Sequence, residues 1–263
     1  MIALILVIAL ISTIGSADKA PEDTLDRDIG AGVAYLEALE SRDPNEITEI
    51  MKLMRQQELE AQKEELMNQL SSGEVSVWSM FEDYALLGDS RSVGFTYYGF
   101  LPDSNVWAES GATIRNMEQH IPALVSMAPS YIFLCYGMND FCSGFWTSPE
   151  EYVADYKEQL LSIQAALPDS DIYICSILPA SDAAYARANI WSVIPSYNEA
   201  LKAMCDELDH CYYIDGDPVA EQHMDLWEQD GIHFKKEFYP HWAASLIMGI
   251  FDAENSEDIA DDI

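Results

Sequence analysis

A serine closes the short apolar run 84–87, in Gly88-Asp89-Ser90-Arg91-Ser92. A hydroxyl is a poor nucleophile until a base within hydrogen-bond reach takes its proton. Far downstream stands a histidine with an acid three residues ahead of it, in Asp230-Gly231-Ile232-His233. At that spacing the carboxylate can meet the ring nitrogen that faces away from a serine, fixing the tautomer and stabilising the imidazolium. His223 and His241 are the rival histidines, and neither has an Asp three residues before it. Two more blocks, Glu109-Ser110-Gly111-Ala112 and Gly137-Met138-Asn139-Asp140, carry a glycine and an amide suited to donate to a developing oxyanion. Each block also has a plainer reading. Asp89 and Ser90 are good helix caps, Asn139-Asp140 suits a turn, Gly111 suits a positive-φ turn, and His233 suits an exposed loop.

Groups this far apart need a scaffold that brings strand ends together. Apolar runs at 84–87, 105–108, 131–136, 171–177 and 211–214 read as five strands. They alternate with helical patterns at 113–127 (which Pro122 can split), from Ser148-Pro149-Glu150-Glu151 onward, at 195–208 and at 240–251. Mostly apolar strands alternating with helices predict an α/β chain with a parallel sheet covered on both faces. The Ser90, Gly111 and Asn139 blocks each follow a predicted strand, and the His233 block precedes the last helix, so all four collect on the carboxyl edge of one sheet.

Over about residues 80–250 the four blocks, in this order, resemble the SGNH or GDSL-type hydrolases. The resemblance implies a three-layer α/β/α sandwich with a mostly parallel, flavodoxin-like, five-stranded sheet, here preceded by an N-terminal helical segment. It implies Ser90 as nucleophile, His233 as general base and Asp230 as its orienting partner. The oxyanion hole it implies comes from the Gly111 and Ser90 backbone and the Asn139 side chain, and Asp140 is expected to hold the loop. The expected activity is serine ester hydrolysis, with removal of a small acyl group such as acetyl from a carbohydrate or cell-envelope polymer. Transfer of the acyl group to a sugar hydroxyl at the same site, lipase, lysophospholipase or thioesterase activity, and a non-catalytic envelope-binding module are the alternatives.

One residue departs from the family pattern: Arg91 stands where an apolar residue is usual. In a chain this poor in cations it is expected either to clamp a buried carboxylate or to contact an anionic substrate group. Arg115 is a second cation near the predicted mouth. Trp146, with Trp107, Phe141, Phe145 and Trp191, is expected to line the edge loops as a platform for a sugar ring or acyl chain, although aromatics also fill cores.

The 263 residues carry 46 acidic and 13 basic side chains, a formal net charge of −33. Binding nucleic acid or anionic lipid needs Lys and Arg to displace counterions, so nucleic-acid partners are excluded. The run 2–14 is apolar except for Ser12 and Thr13 and is followed by Gly15-Ser16-Ala17. It suits a cleaved secretory signal first and an uncleaved anchor second, with membrane contact confined to it; no Lys or Arg precedes it. Secreted or extracytoplasmic location follows. The expected divisions are 1–17 signal or anchor, 18–75 acidic leader and helical segment, 76–252 hydrolase domain and 253–263 acidic tail. Asp43-Pro44-Asn45-Glu46 reads as a helix start and Ser71-Ser72-Gly73 as its end. Of the five cysteines, Cys205 with Cys211 and Cys135 with Cys175 are candidate neighbours; buried free thiols explain them as well. No Cys/His spacing resembles a metal site, so no metal and no cofactor are expected.

Overall fold

A computed structural model of the chain describes residue 33 and residues 44–261. The expected signal or anchor, the acidic leader and the Asp43 cap lie outside the described residues. The described residues divide into two compact units between Gln57 and Glu58. The first described helix, α1 (Pro44–Ser72), opens on a proline and ends just before Gly73, whose φ of +76° takes the chain out of helical geometry.

Five parallel strands follow: β1 (Tyr84–Gly88), β2 (Val106–Ala108), β3 (Tyr131–Cys135), β4 (Asp171–Cys175) and β5 (Cys211–Ile214). Their order in the sheet is β2-β1-β3-β4-β5. This is the flavodoxin-like order, with the switch point where β2 and β3 flank β1. The register is flush at the carboxyl edge, because Gly88 pairs with Ala108 on one side and Cys135 on the other.

Alternation along each strand builds two cores. Ala85, Leu87, Ile132, Leu134, Ile172 and Ile174 face one side, and Tyr84, Leu86, Phe133 and Tyr173 face the other. The first side is covered by α5 (Pro149–Ala166) and α7 (Ile194–Cys205), through Tyr152, Tyr156, Leu160, Leu201 and Met204. The second is covered by α9 (Tyr239–Asp261), through Tyr239, Trp242, Leu246 and Ile247. Each fully buried Leu, Ile or Phe contributes roughly 1.5–3 kcal/mol of transfer free energy. The result is the three-layer sandwich.

The short helices are α2 (Val93–Tyr97), α3 (Ile121–Met127), α4 (Asp140–Ser143), α6 (Asp182–Arg187) and α8 (Asp217–Gln222). Two segments differ from the sequence expectation. The span 113–127 is not one helix: 3-10 turns at Ile114–Asn116 and Glu118–His120 precede α3. Thr113 and Asn116 cap each other reciprocally, and Pro122 sits near the helix start, where a missing N–H costs nothing. The acidic end of the chain is helical to Asp261 instead of frayed. Ala253 is buried there, Lys63 pairs with Asp252 at 2.6 Å, and the Tyr131 hydroxyl donates to Glu254 at 2.9 Å.

Candidate active site

Ser90 lies two residues beyond the end of β1, in the turn that leads into α2. Its Oγ is 2.9 Å from Nε2 of His233, across 143 residues of chain. The other ring nitrogen, Nδ1, is 2.6 Å from Oδ2 of Asp230. The second Asp230 oxygen accepts the backbone amides of Ile232 at 2.8 Å and His233 at 3.0 Å. One carboxylate therefore shapes the loop and orients the ring. Partial burial pushes the Asp230 carboxyl up, and the bonds from the His233 ring and the two amides outweigh that, so its pKa sits below the usual value. Gly231, which follows Asp230, has φ +70°, and a Cβ there would overlap Ser181 Oγ. The close approach lets the Ser181 amide donate to the Gly231 carbonyl at 2.8 Å.

The other two blocks meet beside the serine turn. Asn139 Nδ2 donates to the Ala112 carbonyl at 2.9 Å, which uses one of its two amide protons and ties the β3 loop to the β2 loop. Gly111, with φ +79°, is exposed on that β2 loop. Asp140 holds the same pair of loops by accepting the Ile114 amide at 2.9 Å. Behind Ser90, the buried Asp89 carboxylate accepts the amides of Arg91 at 3.0 Å and Met138 at 3.2 Å, joining the serine turn to the Asn139 loop. Burial raises its pKa, and the Arg91 charge and these two amides act against the rise.

A chain with this set of blocks on this sheet matches the model of the GDSL-like lipase/acylhydrolase family over residues 86–239, more than half its length. The chain belongs to that family. A comparison with curated proteins finds no match. Solved structures share the fold. A Streptococcus pneumonia protein assigned provisionally as a platelet activating factor superposes with TM-score 0.51 at 17% identity, covering 78% of this chain and 98% of that one. A GDSL-like lipase from Bacteroides thetaiotaomicron gives 0.51 at 14% identity, covering 65% and 88%. A catalytic mutant of an acetylxylan esterase from Geobacillus stearothermophilus gives 0.50 at 14%, covering 65% and 94%.

Within this GDSL-like chain, two residues expected at the substrate are elsewhere. Arg91 is 3% exposed, and its guanidinium donates to the carbonyls of Ile232, Leu178 and Pro179. It neither clamps a carboxylate through hydrogen bonds nor offers a free edge to a ligand. Burial pulls its pKa down to about 10, against the raising effect of Asp89, so it stays charged at neutral pH. Trp146 is 6% exposed, packs edge-on against Tyr152 and donates its indole N–H to Asp155 at 3.0 Å. It is core, because the ring faces inward and its one polar atom is satisfied. Phe145 beside it is the exposed aromatic; Arg115 stacks on its ring at 4.4 Å and pairs with Asp155 at 3.3 Å. Of the other platform candidates, Trp107 stacks on His120 and Phe141 meets Trp191 edge-on.

Some residues that shape the site carry no signal in the sequence. Arg187 donates to the Asp230 carbonyl, and the Tyr239 hydroxyl donates to the Arg91 carbonyl at 2.8 Å. Among the described residues no group of three or more His, Cys, Asp or Glu is placed to hold a metal ion.

Proposed function

We propose that this member of the family is an exported serine ester hydrolase that removes a small acyl group, such as acetyl, from a carbohydrate or cell-envelope polymer. The observation that carries the reading is the unbroken chain from Ser90 Oγ to His233 Nε2 at 2.9 Å and from His233 Nδ1 to Asp230 at 2.6 Å. In this reading Ser90 Oγ attacks the ester carbonyl as its proton passes to His233 Nε2, and Asp230 stabilises the imidazolium. The Asn139 amide and the Gly111 and Ser90 backbone N–H groups take the negative charge that builds on the carbonyl oxygen; losing one such donor costs roughly a hundred- to a thousand-fold in rate. His233 returns the proton to the leaving alcohol. Water then attacks the acyl-enzyme, gives its proton to His233, and releases the carboxylic acid with Ser90 restored.

Two considerations support an acylated neutral sugar. The −33 charge disfavours approach of polyanions. One structure sharing the fold is described as an acetylxylan esterase. Export rests on the apolar run 2–14 and the small residues after it.

Labelling with a fluorophosphonate followed by peptide mapping tests the nucleophile: the adduct is expected on Ser90. Ser90→Ala is expected to lose hydrolysis of p-nitrophenyl acetate, and unchanged turnover would overturn the reading. Mass spectrometry of the mature N-terminus tests export, which fails if Met1 is retained on soluble intracellular protein.

A further inference from the structure

Arg91 directly follows Ser90, yet its side chain turns inward and ends beneath the loop that carries His233. Its Nε donates to the Ile232 carbonyl at 2.9 Å, the residue just before His233. The ring of Phe234, the residue just after, has its centroid 5.4 Å from the guanidinium carbon. The two terminal nitrogens reach the loop beyond β4: one donates to the Pro179 carbonyl at 2.9 Å, the other to the Leu178 carbonyl.

These contacts close a triangle. One corner is the serine turn, held from below by the Asp89 carboxylate on the Arg91 amide and by the Tyr239 hydroxyl on the Arg91 carbonyl. The second is the 178–181 loop, and the third is the 230–234 loop. The second and third are joined without Arg91, by the Ser181 amide on the Gly231 carbonyl, and Arg187 at the end of α6 donates to the Asp230 carbonyl. The 230–234 loop lies outside the named strands and helices and is tied to residues 226–228 by a single antiparallel bridge, so its hydrogen bonds decide where His233 points.

We infer that Arg91 is a positioning residue that sets the separation of Ser90 and His233 by clasping the backbone of both loops with one guanidinium. The inference rests on the reading of Ser90 as nucleophile. A buried cation is weak evidence for stability as such, since apolar side chains of similar volume often do as well or better. What an apolar residue cannot do is hold three carbonyls at fixed angles from one point. Lysine cannot do it either, because its donors radiate from one nitrogen whereas those of arginine lie in a rigid planar fork. Serine-to-imidazole geometry repays such a device, since a misplacement of about 1 Å can cost about a hundred-fold in rate.

The test uses the full chain with p-nitrophenyl acetate. Arg91→Lys and Arg91→Ala, each shown to be folded by thermal melting, are expected to lose about 10- to 100-fold in kcat with KM within about twofold. Added guanidinium ion is expected to restore part of the Arg91→Ala activity where sodium does not. Wild-type kcat in either folded variant, or a loss confined to KM, overturns the inference. If neither variant folds, Arg91→Met fills a similar buried volume without any donor; a fall of about 10- to 100-fold in kcat at constant KM in that variant supports the clasp, and unchanged kcat overturns it. Ser90→Ala run in parallel separates the two claims. Wild-type turnover there removes the nucleophile reading, whereas an inactive Ser90→Ala beside an unimpaired Arg91→Lys removes the clasp alone.

Discussion

Asp140 accepts the amide of Ile114 at 2.9 Å with one carboxylate oxygen and buries the other with no hydrogen-bond partner. That arrangement suits a protonated acid better than an ionised one. Burial pushes its pKa up to about 7, against the Ile114 amide, and the nearby Asp89 charge adds to the rise. The unfolded value is about 3.9. A folded value above the unfolded one means that the native state binds the proton more tightly. The resulting stabilisation is present below about pH 4, declines as pH rises through about 7 and is gone above it. The full difference is on the order of 4 kcal/mol at 1.36 kcal/mol per pH unit. Asp140→Asn keeps the acceptor for Ile114 and removes the titration. Melting curves at pH 5 and pH 8 are expected to show the variant gaining on the wild type by several degrees at the higher pH. A constant offset between the two proteins would count against it.

Asp230 behaves in the opposite sense. Its folded pKa lies below the ordinary carboxylate value, so its stabilising contribution is present above about pH 4 and is lost as pH falls through the lowered value. The carboxylate thus stays ionised wherever His233 can act as a base. Asp230→Asn keeps the shape but offers the ring an amide, which favours the wrong tautomer. A buried partner of this kind is worth about 10⁴ in turnover. With 48% of the Asp230 side chain exposed, water replaces part of what is lost, so a fall of about 10²- to 10⁴-fold in kcat is expected. Steady-state kinetics at pH 7 to 8 checks it, and a loss under tenfold would show that the ring is held by other contacts.

The thiols divide into two buried contacts and one surface group. Cys135 and Cys175 have their sulfurs 3.2 Å apart on neighbouring strands, Cys205 and Cys211 lie 3.6 Å apart between α7 and β5, and Cys142 is exposed. Burial raises the pKa of Cys135, and its contact with Cys175 raises it further; for Cys205 the contact with Cys211 comes first and burial second. Both effects suppress the reactive thiolate. Under reducing preparation, a chromogenic thiol reagent is expected to titrate Cys142 alone in the native protein and all five cysteines after denaturation. Rapid modification of a second thiol in the native state would show that one of these contacts opens.

Strands and blocks were legible where local chemistry decides them. The run 131–136 announced β3, and Ser148 with Glu151 marked the start of α5, where the Ser148 hydroxyl accepts the Glu151 amide. Ser90 and His233 were found as types at characteristic spacings, although nothing in the sequence measures the 2.9 Å between them. The apolar spacing of 113–127 predicts a helix, but the reciprocal Thr113–Asn116 cap opens the span as 3-10 turns and helix α3 begins only at Ile121. Side-chain type shows neither direction nor partner, so the sequence points Arg91 to a carboxylate or a substrate anion and Trp146 to the substrate. The partners of Arg91 are carbonyls, and a carbonyl leaves no mark on a sequence.

The same anonymity shapes how this chain can change over generations. Every residue type carries a carbonyl, so replacements at 178, 179 and 232 leave what the guanidinium grips intact as long as the main chain keeps its path. Selection on that tether then falls on a single codon: diverging copies of this protein should hold arginine at 91 and drift at 179 and 232, while Leu178 answers to the core in which it is buried.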